Sequence, residues 1–161
     1  MSEDQRSKEE ILKELLLTEE DTLKKLKVLI DKTKTLVKID QKTNRIVVSN
    51  EFDFSNPERI LLFFIGKYFA KELGISEKEG MLVTELEKES GIKKTTLSKP
   101  LGGLFYSGYV GQDGEKNYFV HHYKIEEIVN SLHSRYLEKN PDAKGIVIKY
   151  KPSAKKKKKG E

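Results

Sequence analysis

Three lysines stand close together in a part of the sequence that contains no acidic residue. Lys93, Lys94 and Lys99 are the only charged residues between Gly91 and Gln112. The preceding stretch, residues 76–90, holds five glutamates against two lysines. Positive charge is therefore concentrated at one place, where the ammonium groups are suited to binding the phosphates of a nucleic acid. A solvated helix face is the alternative interpretation of the same three lysines.

Other kinds of chemistry find little support in the sequence. The chain contains no cysteine, which excludes disulfides, thiolate metal sites and cysteine nucleophiles. The three histidines, His121, His122 and His133, have no carboxylates near them at metal-ligand spacing. Neither a phosphate-binding loop ending in Gly-Lys-Ser/Thr nor a serine nucleophile elbow occurs. We therefore expect no enzyme activity, no cofactor and no metal site.

The net charge of the 161-residue chain is +5, and most of the excess lies at one end. The lysine block Lys155–Lys159 together with Glu161 supplies +4, which leaves about +1 for residues 1–154. Any case for nucleic-acid binding by the body of the protein must therefore rest on how its charge is distributed. The block itself could be a phosphate-binding arm, a solubilising tail or a remnant of expression.

No segment of the sequence has the character of a membrane span or a signal peptide. The longest apolar run, Ile60–Ile65, is far too short to cross a bilayer. The first residues, Met1–Asp4, are polar and acidic and lack an apolar core. The expectation is a soluble cytoplasmic protein without membrane contact.

Two short helices, a turn and a hairpin must position the three lysines. The segment is predicted to contain, in chain order, a short extended entry at Met81–Val83, a helix capped by Thr84 and ending at Ser90, a turn at Gly91, and a helix from Lys93 or Lys94 to Ser107. Gly108 ends the second helix. The Asp113-Gly114 pair between two apolar-bearing runs then predicts a hairpin, because this dipeptide is a strong tight-turn signal.

The remainder of the chain is predicted to be largely helical, so the fold class is α+β and mostly helical. The predicted organisation begins with N-terminal helices over residues 1–36, which break near Thr18, and a β-hairpin over 37–49. A domain over 50–137 follows, with a central helix between Ser55 and Gly74 and a last helix from Ile125 to about Lys139. A C-terminal strand and a disordered lysine-rich tail occupy residues 138–161. The last strand is expected at Gly145–Tyr150.

The segment Leu82–Val110 resembles the DNA-binding half of winged helix-turn-helix regulators such as the MarR and ArsR families. The resemblance is carried by Leu86, Gly91-Ile92, Thr95-Thr96-Leu97-Ser98, Leu101, Leu104 and Gly108-Tyr109-Val110. Residues 10–133 are also similar in layout, and in the stretch Thr95–Gly102, to archaeal winged-helix proteins of unassigned function. These resemblances imply a winged-helix domain over 50–137, an archaeal source, a recognition helix that begins at the lysines, and dimerisation through helices outside that domain.

The would-be recognition helix departs from the pattern in its middle. Pro100 removes a backbone hydrogen bond, which typically costs about 3 kcal/mol inside a helix. Gly102 and Gly103 each cost about 1 kcal/mol relative to alanine. No arginine is present to grip guanine and no asparagine or glutamine to grip adenine. The winged-helix resemblance and the lysines predict a transcriptional regulator that binds duplex DNA through phosphates, and the missing side chains predict weak base readout. The alternative is an adaptor that contacts a protein partner.

The predicted nucleic-acid-binding residues are Lys93, Lys94, Thr95, Thr96, Ser98, Lys99, Gly102 and Lys116. Single-stranded binding is a third hypothesis, for which the stacking side chains would be Tyr106, Tyr109, Tyr118 and Phe119, although core and wing packing is the favoured role for these aromatics. A homodimer is also predicted, because the N-terminal helices carry more apolar surface than a lone solvated helix should show. The residues of this apolar surface are Ile11, Leu12, Leu15, Leu16, Leu23, Leu26 and Ile30.

Overall fold

A computed structural model describes residues 7–150, which form an α+β fold that is mostly helical and has two small antiparallel hairpins. The elements in chain order are α1 (Lys8–Leu12), α2 (Glu19–Thr33), β1 (Val37–Ile39), β2 (Ile46–Val48), α3 (Asn56–Glu72), α4 (Val83–Ser90), α5 (Lys94–Tyr106), β3 (Val110–Gln112), β4 (Tyr118–Val120) and α6 (Ile125–Leu132). Short 3₁₀ turns follow α1 and β4, and a π-helical turn, His133–Leu137, follows α6. The predicted disordered tail with Lys155–Lys159 lies outside the described residues.

Hydroxyl caps fix where the N-terminal helices begin. The Ser7 hydroxyl accepts from the Glu10 backbone N–H at 3.2 Å, and the Glu10 carboxylate accepts from the Ser7 N–H at 3.1 Å. The Thr18 hydroxyl accepts from the Asp21 N–H at 3.0 Å and starts α2. Each bond satisfies a backbone donor that the first helical turn leaves free. The predicted break near Thr18 is therefore confirmed.

Helix α3 forms the centre of the core and packs against both hairpins, α4 and α5. Every residue from Ile60 to Gly66 is buried. Burying each large apolar side chain typically contributes about 1.5–3 kcal/mol. Gly66 is required for the close approach of β2, because a Cβ there would lie 2.4 Å from Ile46 Cγ2. Within residues 7–150, not even this helix has the length and apolarity that crossing a bilayer requires.

Met81, just before α4, pairs with the second hairpin, which consists of β3 and β4. The Met81 N–H donates to the Tyr118 carbonyl and the Tyr118 N–H donates to the Met81 carbonyl, both at 2.8 Å. On its other side β4 pairs with β3, in the register Val110 opposite Val120. The lateral order is therefore Met81, β4, β3, with β4 in the middle.

The turn of this hairpin differs from the turn that its Asp-Gly pair predicts. The residue with a positive φ is Lys116, at 68°, rather than Gly114. The Asp113 carboxylate accepts from the backbone N–H groups of Glu115 at 2.8 Å and Asn117 at 2.9 Å. The hydrogen bond from Asn117, and to a smaller extent the one from Glu115, hold the pKa of Asp113 below its usual range, although burial acts to raise it. The carboxylate thus organises a wider turn, and the left-handed residue comes at its end.

A buried carboxylate joins the beginning of α3 to the turn after α6. Glu58 is 4% exposed, and it accepts from Arg135 Nη1 at 2.7 Å, the Tyr136 hydroxyl at 2.6 Å and the Ser55 N–H at 2.8 Å. Burial, followed by the hydrogen bond to Glu58 and its charge, raises the pKa of Tyr136 to about 12. The same side chain therefore caps α3 and fixes the C-terminal turn.

Two element boundaries in the second half of the chain correct the sequence prediction. Thr84 is not the cap of α4, because the helix begins at Val83 and the cap position belongs to Leu82. No side chain caps this helix with a hydroxyl, but the Leu82 N–H donates to the Glu85 carboxylate at 2.8 Å. The last helix changes to a π-helical turn at His133 instead of continuing to Lys139.

The predicted strand at Gly145–Tyr150 is wrong. The segment has no regular secondary structure and pairs with no strand among the described residues. Two of its backbone donors bind side chains instead: the Val147 N–H donates to the Tyr109 hydroxyl at 3.3 Å, and the Lys149 N–H donates to the Ser107 hydroxyl. A helix lies beside this segment where a strand would need a sheet edge, so no ladder can form.

Candidate functional site

Helix α5 exposes one face to solvent because the other face is buried in the core. The buried residues are Leu97, Pro100, Leu101, Gly103 and Leu104. They recur at helical spacing, and the helix contacts α3 and α4. The exposed residues on the opposite side are Lys94, Thr95, Ser98, Lys99, Gly102, Phe105 and Tyr106, and we call them the outward face of α5.

The predicted nucleic-acid-binding residues fall into two places. Seven are exposed on α5 or at its start: Lys93 is the cap residue, Lys94 is the first helical residue, and Thr95, Thr96, Ser98, Lys99 and Gly102 follow. Lys116 is also exposed, but it lies in the turn of the second hairpin. The four lysine ammonium groups form no salt bridge with any residue in the range 7–150. Their charge is thus uncompensated by an ion pair within the described chain.

The acidic side chains of α4 are engaged within the fold. The Glu85 carboxylate lies 2.6 Å from Lys78 Nζ. Burial opposes its ionisation, yet the hydrogen bond from Lys78 and further contacts hold the pKa of Glu85 below its usual range. Glu89 accepts from the Ile46 N–H at 3.2 Å and lies 3.6 Å from Arg45 Nε. Two of the acids that precede the lysines in sequence are therefore paired with other basic side chains.

The third acid of α4 occupies the N-terminus of α5. Glu87 Oε2 accepts from the backbone N–H of Lys94 at 2.8 Å. The N-terminus of a helix is favourable for anions, because its free N–H groups point outward along the helix dipole. Here a carboxylate of the same chain already takes that position. An external phosphate would therefore contact lysine side chains rather than the helix end.

The proline and the two glycines of α5 have different surroundings. The helix continues through Pro100, which is buried. A Cβ on Gly102 would meet nothing within 4 Å, whereas a Cβ on Gly103 would lie 2.5 Å from Ile148 Cγ2 and 2.6 Å from Tyr150 Cε1. A glycine can let another backbone or side chain approach a helix closely. Gly103 admits the chain's own C-terminal segment, and only Gly102 is open.

The aromatic residues considered for base stacking do not share one exposed surface. Tyr109 is buried and its hydroxyl contacts the C-terminal segment. Tyr118 and Phe119 are half-buried in the second hairpin, and Tyr106 is exposed on α5. The side chain of Phe105, which sequence reasoning passed over, is also 51% exposed beside Tyr106. Because Phe105 follows Leu101 by four residues, the helical repeat alone places it close to the buried face. Its exposure is recognisable only in the structure.

No metal centre is found in the described part of the chain. Residues 7–150 contain no group of three or more histidine, aspartate or glutamate side chains that could hold a metal ion. The His121 ring contacts Phe119 edge-to-face and Tyr123 at a tilt, with ring centroids 5.5 and 5.2 Å apart. His133 is mostly buried, and its Nδ1 lies 3.6 Å from Glu138 Oε2. These side chains serve the packing of the hairpin and the last helix.

The N-terminal helices present a second exposed surface, which is apolar. Only the C-terminal part of α2 is anchored: Leu29 and Ile30 are half-buried, and Lys32 Nζ donates to Asn130 Oδ1 of α6 at 3.0 Å. The side chains before it are exposed by 41–82%, namely Ile11, Leu12, Leu15, Leu16, Leu17, Leu23 and Leu26. We call these residues the N-terminal apolar surface.

Comparisons with known proteins give no relative for this chain, since no family model, no curated protein and no solved structure matches it.

Proposed function

We propose that this protein is a cytoplasmic winged-helix protein that binds duplex DNA through α5 and acts as a transcriptional regulator. The order α3, α4, tight turn, α5 and hairpin is that of a winged helix-turn-helix unit. Met81, which forms a single bridge with β4, lies where such a unit has a short strand before the first helix of its pair. In this proposal α5 is the recognition helix and the second hairpin is the wing.

The observation that carries the proposal is the charge of the outward face of α5. Lys94 and Lys99 lie on it and Lys93 lies at its start, all exposed, and no acid occurs on α5. Thr95 and Ser98 add hydroxyls of the kind that donate to phosphate oxygens. Phosphates attract such a surface regardless of sequence, and the lack of arginine, asparagine and glutamine leaves little base readout.

An adaptor function is the second candidate, and one observation favours it. Phe105 and Tyr106 are each 51% exposed on the outward face, beside the open position at Gly102. Exposed aromatic side chains are frequent anchors of protein interfaces. In this alternative the winged-helix unit contacts a protein partner, and the lysines only border the interface.

Salt dependence of duplex binding tests the proposed function. We expect the chain ended after Tyr150 to bind duplex DNA at low salt with little sequence preference. Three lysine contacts predict a slope of about −2.7 in a plot of log affinity against log salt, which is roughly a 40-fold loss between 50 and 200 mM. Fluorescence anisotropy with a labelled duplex measures both quantities. Absence of binding at the lowest salt would reject the proposal for this part of the chain.

We also propose that the protein is a homodimer that buries the N-terminal apolar surface. Seven large apolar side chains in contact with solvent are more than a stable surface helix carries. Sedimentation at micromolar concentration should give twice the mass of the chain. Replacing Leu15 and Leu16 by glutamate should give the single-chain mass, whereas Lys25→Glu makes the same change in net charge and should leave the dimer intact. A single-chain mass for the unmodified protein would contradict this expectation.

A further inference from the structure

A half-buried lysine in the loop between α3 and α4 joins α4 to the turn of the second hairpin. Lys78 Nζ donates to Glu85 Oε1 at 2.6 Å and to Asn117 Oδ1 at 2.8 Å. Glu85 belongs to α4, and Asn117 immediately precedes β4. We propose that Lys78 is a positioning residue for DNA binding, which fixes this turn so that Lys116 contacts the same duplex as α5. The inference rests on the proposed function and adds to it a contact outside α5.

The Asn117 side chain connects Lys78 to the other end of the turn. It is 6% exposed, and its Nδ2 donates to the Asp113 carboxylate at 3.2 Å. That carboxylate also accepts from the backbone N–H groups of Glu115 and Asn117. A buried amide that has an ammonium donor on one side and a carboxylate acceptor on the other has one favourable orientation. The two ends of the turn are therefore fixed to each other and, through Lys78, to α4.

The turn holds Lys116 in a backbone conformation that residues with a Cβ rarely adopt. Its φ is 68°, its N–H donates to the Asp113 carbonyl at 3.1 Å, and its carbonyl accepts from Gln112 Nε2 at 3.3 Å. Such a conformation persists where the surrounding structure determines it. The Lys116 side chain is exposed, and its ammonium forms no salt bridge within residues 7–150. The network thus fixes the backbone of a lysine whose charge is free to bind a phosphate.

The loop that carries Lys78 is itself held against the hairpin. A Cβ on Gly80 would lie 2.6 Å from the Tyr118 carbonyl oxygen, so the loop backbone approaches β4 too closely for any side chain there. The next residue, Met81, exchanges two backbone hydrogen bonds with Tyr118. The Ser76 hydroxyl donates to the Lys78 carbonyl at 2.7 Å. The Lys78 backbone is therefore fixed beside the hairpin, and its ammonium extends this constraint to the turn.

Helix α5 continues into the second hairpin through a short connection. Tyr106 ends the helix, and Val110 begins β3. Asp113 follows Tyr106 by seven residues, which span at most about 25 Å. Phosphates follow one another along a duplex at a spacing several times smaller, so one duplex can contact both α5 and the turn. A turn that is already fixed loses less conformational freedom on binding than a mobile one, which favours the bound state.

Salt dependence of duplex binding by variants of the full chain tests the positioning role. One lost phosphate contact lowers the magnitude of the salt slope by about 0.9, and we expect this change in Lys116→Ala, in Lys78→Met and in the uncharged substitution Asn117→Ala. Neither Lys78→Met nor Asn117→Ala should change the slope further in a chain that already carries Lys116→Ala. Lys71→Met is the matched control, because Lys71 is exposed in α3 and forms no salt bridge within residues 7–150. Its slope should equal that of the unmodified chain.

Amide hydrogen exchange at Glu115 and Asn117 reports the fixation of the turn independently of DNA. Both N–H groups donate to the same carboxylate, so their exchange should accelerate in Lys78→Met and stay unchanged in Lys71→Met. The Glu85 side chain is 40% exposed, so water can hydrate it when the ammonium is removed. A melting curve checks that Lys78→Met folds, and Asn117→Ala gives a second, independent measurement of the slope.

Four results would contradict the inference, each at a different step. Additive losses of slope in Lys78→Met and Lys116→Ala would show that Lys78 binds a phosphate itself and does not act through the turn. An unchanged slope in Lys116→Ala would show that the turn makes no contact with the duplex. Unchanged exchange at Glu115 and Asn117 in Lys78→Met would show that the turn is fixed without this lysine. Failure of the unmodified full chain to bind duplex DNA at low salt would instead remove the proposed function on which the inference rests.

Discussion

Replacing Glu58 by alanine should lower the free energy of unfolding by about 2–4 kcal/mol, the sum expected for a lost helix cap and lost charged hydrogen bonds. The substitution leaves the Ser55 N–H, the Tyr136 hydroxyl and the Arg135 guanidinium without their common acceptor. Arg135 is partly exposed, so water recovers some of its hydration and the loss stays below that of a fully buried pair. Urea denaturation measures the change as a shift of midpoint.

Glu126→Ala is the matched control for Glu58→Ala, because Glu126 is an exposed glutamate in α6. Its effect should stay within about 0.5 kcal/mol, as for most surface substitutions. Equal stability of the two variants would contradict a structural role for the buried carboxylate.

The pH dependence of stability gives a second view of the same network. The pKa of Tyr136 is raised to about 12, by burial first and then by Glu58. The folded state therefore favours the neutral phenol, and this contribution is complete below about pH 10 and lost between about pH 10 and 12. The stability difference between the unmodified chain and Tyr136→Phe should shrink over that interval. A difference that stays constant with pH would contradict the raised pKa.

A glutamate at Gly102 should weaken duplex binding at least about tenfold at low salt, because it adds a negative charge to the phosphate-binding face and can pair with Lys99 one turn earlier. The position has open space around it, so the new side chain meets no steric conflict. Leaving glycine also improves helix propensity by up to about 1 kcal/mol. Melting temperature should therefore stay equal or rise while affinity, measured by anisotropy, falls.

Gly102→Gln separates charge from bulk at this position. Glutamine has nearly the same shape as glutamate without the charge, so DNA binding should fall far less than in Gly102→Glu. The adaptor alternative makes the opposite prediction, because the bulk of either side chain would keep a protein partner away from Gly102, Phe105 and Tyr106. Equal damage to duplex binding by both variants would contradict a charge-based interface.

Local signals account for the parts of the fold that were predictable from the sequence. Ser55, Thr18 and Gly91 act within one turn of their own position, through caps and a left-handed residue. The network of Glu58 was not predictable in this way. Its partners Arg135 and Tyr136 are 77 and 78 residues away, and nothing in the local sequence marks them.

The segment Gly145–Tyr150 shows how a sequence pattern typical of a strand can occur where no strand forms. Ile146, Ile148 and Tyr150 occupy alternate positions, as the inward side chains of a half-buried strand do. The alternation does identify the side chains that turn toward the protein, since Ile146 and Ile148 pack on the core and Tyr150 lies over Gly103. A strand also needs a free sheet edge, however, and this depends on the tertiary arrangement.

The exposure of the lysines in the candidate site was predictable from the sequence, but the position of the glutamate beside them was not. Exposure of Lys94 and Lys99 follows from the helical repeat around buried Leu97 and Leu101. The position of Glu87 at the start of α5 depends on the angle between two helices, which the sequence pattern does not specify. In the proposed complex, phosphates would therefore contact the lysine side chains and not the helix end.

The salt dependence of duplex binding by the Lys94→Ala/Lys99→Ala double variant tests most directly whether the outward face of α5 contacts phosphates. Both side chains are exposed and form no salt bridge within residues 7–150, so stability should change by less than about 0.5 kcal/mol. Two lost contacts should reduce the magnitude of the salt slope by about 1.8 relative to the unmodified chain. A double variant that binds duplex DNA with an unchanged slope would contradict the assignment of α5 as the DNA-binding helix.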